Sequence, residues 1–581
     1  MFSKSSRHER LPLTAHCAST RASFARCACL LVAFGGLVVA ASAQTDNWIG
    51  GTGNWSDPTQ WSNGVPAPGE NVVIGTATAN STDDIGLEIG TLTLSNPGDA
   101  ITLPDDSFLA VTGLTNEGTI TLDGTNYYAH LLLQNSLTLT GNGVLILNPS
   151  AVYNSLNIIS SSSANIFTNA STILGGGYIG EGDMGFVNAG VVHCTAYHGM
   201  LIYVGNNGFS NQGLLEATDG SILEITGPAN SFLNYNSATG TLTGGSYIAN
   251  DGFIWFIFSS SQFVTTLAAS VTQENGGSFI GAFDELSTIT SSGSFTTDVP
   301  FVQPGAFNMA GRLNILPHTS FSVGSLAQIT GATLTGGNWI LGSDLVITGT
   351  PANIATNSAS VTLTGGTFFN SADGTNALAN LSTNKKALSL TNFTNFTSTA
   401  SFVNSGVMNI AKGSTLTIGG SANRYIQNGG KMTLDGVLKG TAIINGGTLL
   451  GTGLITGNVS LGSGVAATLN IGDAGKAGLF QIKGTYTQPS TGTLSAPIGG
   501  ADVVTQYSQL QVSGVANLAG TLAAPIIGAF IPTLGETFTV LAAKSIAGSF
   551  SNATIAINSS EHFAVSYTST TVVLTVASGS S

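Results

Sequence analysis

One short stretch of the chain gathers side chains that commonly bind metals. Glu181, Asp183, His193, Cys194 and His198 all lie in it. Side chains alternate between the two faces of a strand, so the two histidines, five residues apart, point in opposite directions. Cys194 and His198 share a face but lie about 13 Å apart on an extended strand. We therefore expect no metal site here, and interpret the segment as a buried cysteine beside surface histidines.

Two pairs of adjacent carboxylates offer the minimum equipment for glycoside hydrolysis. They are Asp83 with Asp84 and Asp105 with Asp106. Polysaccharide lyases additionally use a Lys or Arg, often beside Ca²⁺. The chain has no Lys or Arg from residue 27 to residue 311. We therefore interpret both pairs as solvated turn residues and expect no catalytic residue and no cofactor, with Ca²⁺ left open.

Three of the five tryptophans lie close together near the start of the chain. Trp48, Trp55 and Trp61 occur in the stretch NWIGGTGNWSDPTQWSNGVP, among the Gly, Asn, Asp and Pro residues typical of turns. Exposed tryptophans would form a platform on which sugars stack. Alternatively, large apolar side chains would cover the open end of a repetitive β-structure, whose backbone groups otherwise pair with other chains. The sequence favours the cap over the carbohydrate-stacking platform.

The elements that position these residues are short strands. Segments such as GTITLDG and GSTLTIGG alternate apolar residues with Thr or Ser at period two, and Asn-Gly, Gly-Gly and Asp-Gly pairs separate them. Helical periodicity is almost absent. The pattern predicts an all-β protein with very short strands.

The strands also repeat at a fixed distance. FVNAG begins at Phe186 and FSNQG at Phe209, while FVNSG begins at Phe402 and YIQNG at Tyr425; both spacings are 23 residues. A second motif recurs as LTGGSY, LTGGNW and LTGGTF. About 23 residues suits one coil of a right-handed parallel β-helix, in which aromatic residues stack on aromatic residues and Asn on Asn. The alternative is a series of β-sandwiches, whose strands are longer.

The amino-terminal segment predicts export. Basic residues precede the apolar run CLLVAFGGLVVA, and ASAQ follows it with small residues suited to cleavage. Residues 1–43 are therefore predicted to be a signal peptide, and the mature protein to be secreted or on the cell surface. Cys194 is the one cysteine after residue 43, so no disulfide forms within the mature chain. No later apolar run is long enough to span a membrane as a helix.

Charge narrows the range of partners. After residue 43 the chain has 10 Lys and Arg residues against 28 Asp and Glu, a net charge of −18. Nucleic-acid binding depends on cations that neutralise phosphates. A first half without any cation therefore excludes a nucleic-acid partner.

The two ends of the chain resemble bacterial autotransporter passenger proteins and related surface β-helix repeat proteins. The opening motif W.GG.GNW is similar to their start. The carboxyl end resembles theirs at glycines and apolar residues spaced as gG.L.G.G, G.Y.q...G.L and L.v.G.a.L.GtL: Gly447, Leu449, Gly451, Gly453, Gly457, Gly484, Tyr486, Gln488, Gly492, Leu494, Leu510, Val512, Gly514, Leu518, Gly520 and Leu522. A Pro-Gly typical of these proteins is replaced by the segment NIGDAGKAGLF.

The resemblance and the repeats together predict the organisation. We expect an amino-terminal cap with the first strands at 44–100, β-helix repeats at 101–478 and a β-rich carboxyl module at 479–581. We also expect that the barrel or sorting anchor of such proteins is missing. The resemblance implies a non-catalytic adhesin, matrix-type or structural protein that binds a polysaccharide or another surface component. The alternative is a carbohydrate-active β-helix enzyme, a lyase or a hydrolase.

Overall fold

Period-two patterning produces strands that bury one face each. In the strand Thr119–Leu122, Ile120 and Leu122 are fully buried while the two threonines point outward. The strand pairs in parallel with Ala100–Leu103 on one side and Val144–Leu147 on the other, so that buried residues stack on buried residues. Repetition of this arrangement gives a β-solenoid of about 19 turns with 55% of residues in strands. The predicted all-β parallel β-helix is confirmed; its right-handedness stays a prediction.

The computed structural model describes residues 44–76, 78–124, 127–148, 156–195, 198–257, 263–462, 464–473 and 475–579. The predicted signal peptide, residues 1–43, lies outside the described residues. One unit extends from Thr45 to Ser581. Within the described residues there is no α-helix, and no helix is long and apolar enough to cross a membrane. A single 3₁₀ turn, Pro58–Gln60, begins after Asp57, whose carboxylate accepts a hydrogen bond from the Thr59 amide at 2.9 Å.

Three parallel sheets form the sides of the first coils. Sheet 1 consists of Thr45–Trp48, Asn71–Ile74, Thr91–Leu94, Gly113–Asn116, Leu137–Thr140, Ile166–Asn169, Gly185–Asn188 and Phe209–Asn211. Sheet 2 begins with Thr52–Asn54, Asn80–Thr82, Ala100–Leu103, Thr119–Leu122, Val144–Leu147, Thr172–Gly175, Val191–Cys194, Leu214–Ala217, Thr241–Asn250 and Thr266–Glu274. Sheet 3 consists of Leu87–Glu88, Ser107–Val111, Ala129–Leu133, Leu156–Ser160, Gly177–Ile179, Met200–Tyr203, Ile222–Thr226, Phe253–Ile257 and Ser278–Phe279.

The later coils continue the stack with the same alternation. Their strands are Tyr235–Asn236, Thr288–Ile289, Ser294–Thr297, Phe301–Met309, Arg312–Ile315, Phe321–Leu326, Ile329–Thr330, Thr333–Leu341, Leu345–Ile347, Thr356–Leu363, Phe368–Asn370, Thr375–Asn376, Thr383–Asn384, Ala387–Leu390, Asn395–Ser398, Phe402–Asn404, Val407–Ile410, Thr415–Ile418, Arg424–Leu434, Val437–Lys439, Thr441–Gly451, Leu454–Ile455, Val459–Leu461, Ala467–Ile471 and Leu479–Ile482. Nearly all of them pair in parallel with the strand one coil away.

The last strands close the stack. They are Tyr486–Thr487, Gly492–Ser495, Gln509–Leu518, Thr521–Ala523, Thr537–Gly548, Thr554–Ala556, Glu561–Tyr567 and Thr571–Ser578. Parallel pairing continues as far as Thr537–Gly548, and Thr571–Ser578 then pairs with that strand in the antiparallel sense. The parallel stack therefore runs across residues 478 and 479, and the domain boundaries drawn from the sequence stay predictions.

Stacked identical side chains run through the interior of the coils. The rings of Phe167, Phe186, Phe209 and Phe232 follow one another at 5.5–5.6 Å between centroids. Two residues after each of the first three phenylalanines stands a buried asparagine. Asn169 Nδ2 donates to Asn188 Oδ1 at 2.9 Å, and Asn188 Nδ2 donates to Asn211 Oδ1 at 2.9 Å. Each amide thereby satisfies its neighbour, which a buried polar group requires.

The same arrangement recurs later in the chain. Asn357 donates to Asn384 at 2.9 Å and Asn384 to Asn404 at 2.8 Å. In the next coil Tyr425 stacks on Phe402, with 6.3 Å between centroids, and the phenol hydroxyl donates to Gln427 at 3.1 Å. The predicted stacking of aromatic on aromatic and of Asn on Asn is confirmed.

Candidate functional site

The three amino-terminal tryptophans pack against one another inside the first coil. Trp48, Trp55 and Trp61 are only 1%, 0% and 3% exposed. Trp61 meets the other two edge to face, with centroids 5.0 and 5.2 Å apart, and its Nε1 donates to the Trp55 carbonyl at 3.0 Å. Stacking on a sugar requires an exposed ring face, which these side chains do not offer. The geometry favours the cap, which stays a prediction.

Asp84 fastens this segment to the second coil. Its carboxylate accepts hydrogen bonds from the Ser56 amide at 2.9 Å, the Ser56 hydroxyl at 2.6 Å and the Asn54 side chain at 3.2 Å. The Trp55 amide also donates to the Thr82 carbonyl at 2.9 Å. Slight burial works to raise the pKa of Asp84, but the hydrogen bonds from Ser56 and Asn54 outweigh it, and the pKa is lowered.

Asp83 points the other way, into the core. It is fully buried and its Oδ1 accepts from the amides of Ile85 and Gly86 at 3.4 and 3.1 Å. Its Oδ2 is buried without a hydrogen-bond partner in the described part of the chain. Burial raises the pKa of Asp83 to about 7. Because Asp83 and Asp84 lie on opposite faces of the chain, they cannot flank one glycosidic bond.

The second acid pair occupies an ordinary turn. Asp105 and Asp106 connect Ala100–Leu103 to Ser107–Val111, and Asp106 adopts a left-handed backbone with φ 61°. Asp105 Oδ1 accepts a hydrogen bond from the Tyr127 amide at 3.2 Å. This pair therefore supports the loop of the following coil.

The candidate metal ligands are spread over different sides of the coil. Glu181 and Asp183 follow a strand of sheet 3, whereas His193 and Cys194 lie on sheet 2. His193 points outward, with Nε2 3.0 Å from the Thr218 hydroxyl oxygen, and Cys194 is buried. His198 lies in the turn that follows. Among the described residues, no group of three or more His, Cys, Asp and Glu side chains is arranged to hold a metal ion.

The outer face of sheet 3 carries the densest set of exposed aromatic side chains near polar groups. Seven outward residues from successive coils stand in register on it: Phe108, His130, Asn157, Tyr178, Leu201, Glu224 and Trp255. Tyr203 lies two residues beyond Leu201 on the same side. We call this surface, together with Tyr127 and Tyr128 beside it, the aromatic face.

Several of these rings are accessible to a ligand. Phe108, Tyr127 and Tyr128 are 39%, 60% and 43% exposed, and Tyr178, Tyr203 and Trp255 are partly exposed. Tyr128 lies parallel to the His130 ring, with 4.7 Å between centroids. Rings of this kind contribute large apolar contact area and still carry a polar group at one end.

A polar centre lies beneath the aromatic rings. Asn157 is 4% exposed, and its Nδ2 donates to Glu181 Oε1 at 2.7 Å. Asp183 orients Glu181, since its Oδ1 accepts from the Glu181 amide at 2.9 Å and its Oδ2 accepts from the Ser160 amide at 2.7 Å. Burial and the nearby charge of Asp183 raise the pKa of Glu181. Burial lowers the pKa of His130 to about 4, so this imidazole is neutral at pH 7.

Glu224 is the second carboxyl group on the aromatic face. It stands in register between Leu201 and Trp255, and partial burial among such neighbours raises its pKa. It lies three strand spacings from Asn157, about 14 Å along the axis. The face therefore offers two separate polar positions along a row of rings.

Sequence reasoning did not identify this face. The segment FIWFIF was interpreted as a buried strand, but Trp255 in the strand Phe253–Ile257 points outward and is partly exposed. Period-two alternation places it there, next to Glu224. No protein-family model and no curated protein matches this chain.

Proposed function

We propose that the mature protein is a secreted or cell-surface β-solenoid of the adhesin or matrix type, which binds a polysaccharide without chemically changing it. The observation that carries the proposal is the aromatic face, on which exposed rings from successive coils stand in register beside hydrogen-bonding groups. Ligand sites commonly combine apolar rings with a few polar groups in this way. The resemblance of both chain ends to passenger-type surface proteins supports the extracellular location.

A carbohydrate-active enzyme is the second candidate. The raised pKa of Glu181 and of Glu224 favours it, because a general acid must hold its proton. Spacing opposes it: Glu181 binds Asn157, which lies about 14 Å along the axis from Glu224, whereas paired glycosidase carboxylates lie roughly 5–9.5 Å apart. A lyase mechanism lacks a nearby Lys or Arg, since none occurs from residue 44 to residue 311. The non-catalytic function is therefore the better supported one.

Affinity electrophoresis in gels containing single polysaccharides tests the proposal. We expect retardation in at least one gel, and loss of most of that retardation when Phe108, Tyr127 and Tyr128 are all replaced by alanine. Phe393→Ala is the control, since Phe393 is 73% exposed in a turn far along the chain. A reducing-end and unsaturated-uronide assay on the same polysaccharides should show no product. Equal retardation of the triple variant, or steady product formation, would contradict the proposal.

A further inference from the structure

We infer that His130, Asn157 and Glu181 form a subsite that recognises the hydroxyl groups of an uncharged polysaccharide, which lies on the aromatic face and crosses the strands of sheet 3. The inference rests on the proposed function and adds the position and the chemical class of the ligand.

Two buried polar atoms in this subsite are left without partners. Asn157 Oδ1 and His130 Nδ1 are both inaccessible and make no hydrogen bond to any described residue. The two residues occupy the same register position on neighbouring strands. An unpaired buried polar atom typically costs about 1–3 kcal/mol, so native proteins rarely retain one without a reason. A sugar hydroxyl both donates and accepts, and can therefore serve the amide oxygen and either tautomer of the imidazole.

Glu181 gives the subsite its orientation. Its Oε1 accepts from Asn157 Nδ2, which turns Asn157 Oδ1 away from the carboxylate. Asp183 holds the Glu181 backbone in place through a 2.9 Å hydrogen bond. The two residues thus present acceptors to a ligand, which suits the donors of a sugar.

Tyr128 covers the subsite and also supplies the stacking surface. Its ring lies parallel to His130 and is 43% exposed. Exposed side chains exchange rotamers in picoseconds to nanoseconds, so the ring can move aside without a change in the backbone. A sugar ring stacked on Tyr128 would bring its hydroxyl groups next to His130 and Asn157.

Charge selects the ligand class. The nearby ionisable groups Glu181, Asp183 and Glu224 are all acids, and no Lys or Arg occurs from residue 44 to residue 311. An anionic polysaccharide would meet like charges with no cation to offset them. An uncharged chain meets rings and hydrogen-bonding groups only.

The test measures dissociation constants for two sets of soluble probes. Hydroxyethyl cellulose, galactomannan and dextran are uncharged, and polygalacturonate and alginate are anionic. We expect binding to at least one uncharged probe, weakened about tenfold by Tyr128→Ala and by Glu181→Gln, as loss of one hydrogen bond to a charged group implies. Phe393→Ala and Glu117→Gln are the controls. Glu117 accepts from Asn142 Nδ2 at 3.1 Å on an exposed turn and so matches the Asn157–Glu181 pair.

The outcomes separate this inference from the proposed function. Binding to anionic probes alone would overturn the inference and leave a polysaccharide-binding protein. Binding to an uncharged probe that Tyr128→Ala and Glu181→Gln do not weaken would overturn the subsite. Absence of binding to all probes would count against both. Circular dichroism of each variant should match the parent protein, since both substituted residues are at least partly exposed.

Discussion

Replacing Trp55 by alanine is expected to lower the stability of the first coils by about 3–5 kcal/mol, the usual cost of removing a large buried aromatic side chain. Trp55 is fully buried, packs edge to face on Trp61 and accepts the Trp61 indole hydrogen bond through its carbonyl. In a solenoid each coil contacts mainly its neighbours, so the loss should stay local. Hydrogen exchange should therefore accelerate at residues 45–94 and remain unchanged at residues 509–578.

Trp255→Ala is the matched control, because Trp255 lies on the outer face of sheet 3 and is partly exposed. It should leave exchange at residues 45–94 unaltered. Deleting residues 44–75 altogether should expose an unpaired strand edge and cause concentration-dependent association. A cooperative, monomeric deletion variant in sedimentation experiments would show that the tryptophans are not a cap.

The second large effect concerns pH and Asp83. Burial raises the pKa of this carboxyl group from 3.8 to about 7 in the folded protein. Between these two values the folded chain keeps a proton that the unfolded chain has lost. Stability of the surrounding coils is therefore greatest below about pH 4 and falls as the pH rises to about 7. The total loss is on the order of 4 kcal/mol, since each unit of pKa shift corresponds to about 1.4 kcal/mol.

Asp83→Asn removes this titration while keeping the shape of the side chain. The stability of the variant relative to the parent protein should increase from pH 4 to pH 7 and stay constant above. Urea unfolding followed by tryptophan fluorescence measures it, because three of the five tryptophans lie in the adjacent cap. Asp84→Asn should behave in the opposite sense. The pKa of Asp84 is lowered in the folded protein, so its contribution is present above the unfolded pKa and is lost in acid. Identical pH profiles for the two variants would contradict this interpretation.

The sequence predicts the interior of the solenoid better than its surface. Interior positions repeat FVNAG, FSNQG and YIQNG at a spacing of 23 residues, because stacked side chains must match in size and hydrogen bonding. The stacks of Phe186 on Phe209 and of Asn188 on Asn211 follow directly. Burial of the tryptophans likewise agrees with their place in a turn-rich segment at the end of the stack.

The aromatic face could not be recognised in this way. Its residues are separated along the chain by unequal intervals, for example 22 residues from Phe108 to His130, 27 from His130 to Asn157 and 31 from Glu224 to Trp255. Turns of different length between the strands absorb these differences. The residue types also vary from coil to coil, because outward side chains need not match their neighbours. The column therefore exists only once the strand register is known.

Oxidative footprinting with a bound uncharged polysaccharide tests the central claim most directly. Tyr127, Tyr128 and Trp255 are accessible on the aromatic face and should become protected when the ligand binds. Phe393, exposed elsewhere, should be labelled equally with and without ligand, and the buried Trp48, Trp55 and Trp61 should be labelled little in either state. Unchanged labelling of Tyr127, Tyr128 and Trp255 in the presence of a ligand that binds the protein would contradict the assignment of the aromatic face as the binding site.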